Sequence, residues 1–318
     1  MPDRTRAGAH SRAFSIPLRS RFRGVSSRAG VLLQGPVGWG EFSPFPEYGP
    51  AECARWLAAA REAAYERWPA PVRDQVPVNV TVPAVDPERA ADIVTASGCR
   101  TAKVKVAERG QSLRDDLMRV EAARDAIGTE GRIRVDVNGR WDVDEAVHAI
   151  GELHRFGLEY VEQPCATLDE MAALRRRIDV PIAADESIRK AADPLRVRAA
   201  EAADIVVLKV QPLGGVRPAL AVAEACGLPA VVSSAVETSV GIAAGLALAA
   251  ALPSLPYACG LATVQLLDGD VVAEPLLPAD AVITLRRPQV DGQRLATYEI
   301  DGGDWARRMA DAARVLDR

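Results

Sequence analysis

Between residues 76 and 261 the chain alternates between two hydrophobic periods. Short runs of β-branched and apolar residues give way to longer stretches in which apolar positions recur every three or four residues. The pattern predicts strands at 76–82, 101–106, 132–137, 158–162, 181–184, 205–208, 230–233 and 257–259. Helices are predicted at 87–97, 112–127, 143–156, 168–177, 188–199, 216–226 and 240–251, so the last strand has no helix after it. Strict β–α alternation implies a parallel sheet, and eight such strands close into a (β/α)7β TIM-like barrel. An open doubly wound sheet is the alternative, disfavoured because no GxGxxG follows a strand.

The flanks lack this rhythm. Residues 13–19 and 30–33 read as strands, residues 43–50 as a Pro/Gly loop, and 51–67 as an Ala-rich amphipathic helix. Past residue 261, 266–274 and 281–285 look like short strands and 305–316 like a terminal helix. Segments 1–75 and 262–318 are therefore expected to form one discontinuous α+β capping domain on a catalytic barrel spanning 76–261.

Composition narrows the chemistry. The 318 residues are 48% hydrophobic and 26% charged, enough for a substantial core. A net charge of −4 gives no electrostatic case for nucleic acid or an anionic membrane. The longest apolar run, 241–252, is too short to span a bilayer, and the basic N-terminus lacks the apolar stretch of a signal peptide. Five scattered cysteines with no CxxC pair read as reduced thiols in a cytoplasmic protein. The three histidines, His10, His148 and His154, are too few and badly placed for a His metal cluster, so any metal is held by carboxylates.

Lysine usage points to a site. Of the 39 Lys and Arg residues only four are lysines: Lys103, Lys105, Lys190 and Lys209. Three lie inside apolar strand-like runs, KVK and VVLKVQP. Strand side chains alternate faces, so Lys103 and Lys105 share one face. An exposed edge strand would also carry lysines. Burial, however, can make a lysine a base, which arginine cannot become.

In a barrel of this kind the reactive groups sit at the C-terminal strand ends. There the sequence places Asp136 and Asn138, Glu162, Asp185 and Glu186, Lys209, then Ser233 and Ser234 with Glu237 beyond. Asp185-Glu186-Ser187 alone is also a respectable helix start. Taken together, acids on three successive strands need a cation, and oxygen-only ligands suit Mg²⁺, with Mn²⁺ as a substitute. Lysines on either side of that cluster suit proton abstraction next to a carboxylate, so a small-molecule carboxylate is the expected partner. The oligomeric state stays open, a monomer included.

The motifs Gly38-Trp-Gly-Glu-Phe-Ser-Pro-Phe-Pro46, Lys103-Val-Lys105, Asp136-Val-Asn138, Glu162-Gln-Pro164, Ala184-Asp-Glu-Ser187, Leu208-Lys-Val210 and Ser233-Ser-Ala-Val-Glu-Thr238 resemble the enolase superfamily and its muconate-lactonising subgroup. Within it the likeness is to the o-succinylbenzoate synthase family of menaquinone biosynthesis. The resemblance implies Asp136, Glu162 and Asp185 as metal ligands and Lys105 as acid/base. It implies Lys209 as the cation across the ring and Lys103 as an aid in placing Lys105 and the carboxylate. The implied reaction is dehydration of 2-succinyl-6-hydroxy-2,4-cyclohexadiene-1-carboxylate. N-succinylamino acid racemases and dipeptide epimerases share the same five residues. A dipeptide epimerase is expected to carry an acid on strand eight, where this chain reads Tyr257-Ala-Cys-Gly260. The succinyl carboxylate is instead expected on Ser234 and backbone N–H groups near Gly260, under a small lid formed by residues 17–30. A non-catalytic metabolite-binding barrel would be expected to have lost one of the five residues, and none is lost.

Overall fold

The computed structural model describes residues 11–189 and 194–318. The expectations for the N-terminus, His10, Lys190 and the middle of the 188–199 helix lie outside the described residues. The chain opens with an antiparallel sheet of β1 (Ser11–Phe22), β2 (Val25–Gln34) and β3 (Trp39–Phe42), followed by α1 (Pro50–Tyr65). Then come β4 (Gln75–Pro77), β5 (Val80–Val82), α2 (Pro87–Ala96), β6 (Thr101–Lys105), α3 (Leu113–Ile127), β7 (Arg132–Asp136), α4 (Val143–Leu153), β8 (Leu158–Glu162) and α5 (Leu168–Arg175). Next are β9 (Ile182–Ala184), short helices α6 (Glu186–Arg189) and α7 (Arg196–Ala199), β10 (Ile205–Leu208), α8 (Val210–Leu213), α9 (Val216–Cys226), β11 (Ala230–Val232) and α10 (Ser239–Ala251). The tail holds β12 (Val282–Thr284), α11 (Gly292–Tyr298) and α12 (Gly303–Leu316), and α12 packs on α1.

Strands β5 to β11 form one parallel sheet in sequence order. Among the described residues no regular strand completes the ring. Instead Cys259 bridges Val78 and Gly260 bridges Ser233, with Cys259 N–H on the Pro77 carbonyl at 2.7 Å and Gly260 N–H on the Val232 carbonyl at 2.8 Å. Two residues thus do the work of the eighth strand.

Period-two alternation decides what faces where. Outward residues Val104, Val135, Val161, Ile182, Val206, Leu208 and Val232 join the core beneath the helices. Inward residues Tyr160, Ala183, Ile205, Val207 and Val231 form a separate cluster inside the ring. Arg134 also lies inside the ring, fully buried. It donates to Glu159 at 2.5 Å, to Asn79 at 3.1 Å and to the Ala258 carbonyl at 2.6 Å, and lies over the Tyr160 ring. It therefore ties the closing segment to the first, third and fourth barrel strands. Arg134→Met should lower the melting temperature by roughly 5–10 °C, since breaking a buried ion pair costs about 3 kcal/mol and a chain this long loses a few degrees per kcal/mol. A thermal melt of the variant within about 1 °C of wild type would contradict that role.

Three expectations need correction. Residues 76–82 are not one strand: β4 pairs with β12 of the tail and β5 joins the barrel, and Pro77, which has no N–H to donate, ends the first ladder. Residues 266–274 are not a strand but a 3₁₀ turn (Ala262–Leu266) and a loop with isolated bridges. The expected 188–199 helix is not continuous through its described part, where Pro194 and Leu195 form a turn ahead of α7. Helix α11, which the hydrophobic pattern did not single out, starts on an Asp291 cap.

Candidate active site

The last inward-facing positions of six consecutive strands meet at the C-terminal mouth. They are Lys105, Asp136, Glu162, Asp185, Lys209 and Ser233, all buried. Sheet register sets their level. Lys105 pairs with Asp136, and Asp136 with Glu162, across adjacent parallel strands. Apolar strands hold these charges because each is flanked by outward Val, Ile, Ala or Leu residues committed to the core.

The charges are matched in sequence. Lys105 Nζ lies 2.6 Å from Asp136 Oδ2 and 2.6 Å from Asn138 Oδ1. Lys103 Nζ reaches both Glu162 oxygens, at 2.9 and 3.0 Å, and Asp136 at 3.4 Å. Lys209 Nζ donates to Asp185 at 2.6 Å, and Arg189 approaches the other Asp185 oxygen at 3.0 Å. Among the described residues no three carboxylates converge on a ready-made metal cage, because each is turned towards a cation.

Burial sets the proton affinities and the partners correct them. Burial pulls the Lys103 ammonium down, but Glu162 and Asp136 outweigh it and hold it above the usual lysine range. For Lys105 burial wins, with Asp136 opposing and Lys103 adding to the fall, so it lies below that range. Asp136 and Asp185 are held low against burial, the first by Lys105 and Lys103, the second by Arg189 and Lys209. Glu162 is pushed up to about 7 by burial and then by Asp136, with Lys103 only partly offsetting them.

The residues expected to meet the succinyl tail have partners within the chain, and Ser234 lines the cavity. Gly260 N–H is spent on Val232 and its neighbour Leu261 N–H on the Cys259 carbonyl, so the backbone there is occupied in closing the barrel. Ser234 points its hydroxyl at the Gly260 carbonyl, 2.8 Å away, and at Thr263, 2.7 Å away. Asn138 holds Lys105 and donates to Glu186 at 3.1 Å from a left-handed backbone (φ 54°), a conformation asparagine tolerates. Phe22 and Arg23, at the tip of the β1–β2 hairpin and within the expected lid at 17–30, line the cavity, and sequence reasoning missed Thr81, Arg189 and Thr263, which line it too. Arg189 alone carried a signal: four residues after Asp185, it falls on the same side of a helical turn.

The comparisons agree with this architecture. Residues 86–290 match the enolase C-terminal domain-like family and residues 13–64 the enolase N-terminal domain-like family. The o-succinylbenzoate synthase of Thermobifida fusca (strain YX) is 70% identical over 96% of this chain and 97% of its own. That of Mycolicibacterium smegmatis is 56% identical over 89% of this chain and 87% of its own. The crystal structure of an N-succinyl Arg/Lys racemase from Bacillus cereus superposes with a TM-score of 0.78 at 23% identity, covering 92% of this chain and 97% of that one. The chain belongs to the enolase superfamily and, within it, to the o-succinylbenzoate synthase family.

Proposed function

We propose that the protein is an o-succinylbenzoate synthase, a lyase that dehydrates 2-succinyl-6-hydroxy-2,4-cyclohexadiene-1-carboxylate in menaquinone biosynthesis. What carries this reading is the ring of strand-end side chains, with Lys105 and Lys209 flanking three acids on consecutive strands. The 70% identity over nearly the whole chain supports it. Asp136, Glu162 and Asp185 are assigned to Mg²⁺, for which Mn²⁺ can substitute. The donor set fits: it is all carboxylate oxygen, and the lysines alone leave Glu162 pushed up to about 7. Bound there, Mg²⁺ neutralises negative charge developing on the substrate carboxylate.

The chain's own residues do the rest. Lys105 takes the C1 proton next to the carboxylate, the C6–O bond breaks, and the ring becomes aromatic. Lys105 then returns its proton to the departing hydroxide, giving water. Lys209 lies across the site as a fixed cation beside the developing charge. Lys103, bonded to Glu162 and near Asp136, keeps the acid row and Lys105 in place. Phe22 and Arg23 at the hairpin tip form one wall of the cavity, opposite the strand-end side chains. We assign that tip to a capping unit made of segments 1–75 and 262–318. The five cysteines are buried thiols, and among the described residues no helix is long and apolar enough to cross a membrane; both fit a cytoplasmic enzyme.

A racemase of N-succinylamino acids is the second reading, favoured by one observation: the two lysines approach from opposite sides of the acid row. It would require Lys209 to move protons. Assayed side by side, the cyclohexadiene should turn over well and Ala-Glu dipeptides little or not at all, because the closing segment 257–260 carries no acid for an ammonium. Faster turnover of the dipeptide would overturn the assignment and leave the fold intact.

A further inference from the structure

The turn after β11 connects the pocket to the cap. Val236 lines the cavity with φ 61°, a left-handed conformation that a β-branched residue adopts only when its surroundings impose it. The cap supplies that constraint. Arg28 of β2 is buried and donates through Nε to the Val236 carbonyl at 3.1 Å and through a terminal nitrogen to the Ser43 carbonyl at 2.6 Å. Glu41 of β3, also buried, accepts from the Thr238 hydroxyl at 2.5 Å and from the N–H groups of Thr238 and Gly241 at 3.1 Å each. Its other oxygen accepts from Ser43 at 2.7 Å. Thr238 is the N-cap of α10, so a cap carboxylate sits at the positive end of a barrel helix. Gly241 leaves room for it: a Cβ there would lie 2.5 Å from the Glu237 Cβ and 3.0 Å from a Glu41 oxygen.

We propose that Glu41 and Arg28 are positioning residues, a cap-borne clasp that holds the strained turn at 235–238 and so sets the pocket wall at 233–236. The clasp is independent of the reaction. Only its effect on substrate rests on the synthase reading, in which that wall meets the succinyl tail. Burial, and then the neighbouring Glu237, push the Glu41 carboxyl up to about 7, while Thr238, Ser43 and Arg28 pull it back. Arg28 is itself flanked by Glu237, Arg23 and Tyr48, and Glu237 also feels Lys209. Because the folded value lies above the ordinary 4.5, the stability linked to protonated Glu41 is full below about pH 4.5 and lost as the pH rises through 7.

The test uses the full chain with Mg²⁺. Glu41→Ala should raise KM for the cyclohexadiene about tenfold or more and change kcat less than about threefold, the signature of lost binding without lost chemistry. Amide hydrogen exchange at Thr238 and Gly241 should speed up by about tenfold, since those two N–H groups lose their acceptor. Adding Val236→Gly should restore most of the KM, because glycine holds φ 61° without strain. The melting temperature of Glu41→Gln, which has the shape of the neutral acid, should gain on wild type between pH 5 and pH 8. An unchanged KM with unchanged exchange would overturn the clasp. So would a joint fall in kcat and melting temperature that Val236→Gly leaves uncorrected. Faster exchange in a protein whose wild type does not dehydrate the cyclohexadiene would leave the clasp standing and sink the reaction instead.

Discussion

Lys105→Arg is expected to abolish dehydration while the protein stays folded and positively charged at that position. Lys105 is buried at the end of β6, with Nζ 2.6 Å from both Asp136 and Asn138. Arginine stays protonated at any relevant pH and cannot take a proton. Losing a general base costs on the order of 10²–10⁴-fold, and in the proposed reaction the same group also returns the proton, so the loss should reach the upper end. Lys209→Arg separates the two readings of the second lysine. A residue that only stabilises charge tolerates the swap in part, limited by the larger head beside Asp185; a second base does not. Solvent deuterium exchange into an unreactive succinylamino acid, from each enantiomer, distinguishes them. Exchange that depends on Lys105 for one enantiomer and on Lys209 for the other would establish a two-base site and make racemisation a genuine second activity.

Removing the metal should have an effect of similar size. A chelator is expected to abolish turnover, and Mg²⁺ to restore it. Replacing Asp136, Glu162 or Asp185 by its amide should abolish tight Mg²⁺ binding, because two carboxylates leave a divalent cation short of both ligands and charge. The loss should exceed the roughly 10–100-fold that removing a residue behind a ligand typically costs. Calorimetric titration of each variant with Mg²⁺ reads this directly. Wild-type affinity in any of the three, or full activity in chelated protein, would overturn the ligand assignment.

The strand-end chemistry was legible because a charge in an apolar run has few reasons to be there. Lys103, Lys105, Asp136, Glu162, Asp185 and Lys209 each interrupt a β-branched or small apolar stretch, and period two puts each of them inside the ring. The eighth strand was legible in place but not in extent: two bridging residues close the barrel, too few to leave a periodic trace. That the Gly260 N–H bonds the Val232 carbonyl was not legible, because a backbone N–H carries no label saying whether a neighbouring strand uses it. Residues 76–82 read as one strand because valine recurs at every second position without a break, while β4 and β5 belong to different sheets. Glu41 lies in a motif and Arg23 and Arg28 in the expected lid, but nothing in the sequence marks Arg28 and Glu41 as buried partners of the barrel. Only the meeting of cap and barrel, across some 200 residues, turns Glu41 into a buried partner of Thr238.

The most direct measurement follows aromatisation of the cyclohexadiene in three samples: Mg²⁺-loaded wild type, the same protein after chelation, and Mg²⁺-loaded Lys105→Arg. Rapid formation of o-succinylbenzoate by the first sample alone is the expected result. Comparable turnover by the chelated protein or by the arginine variant, or none by the Mg²⁺-loaded wild type, would contradict the account.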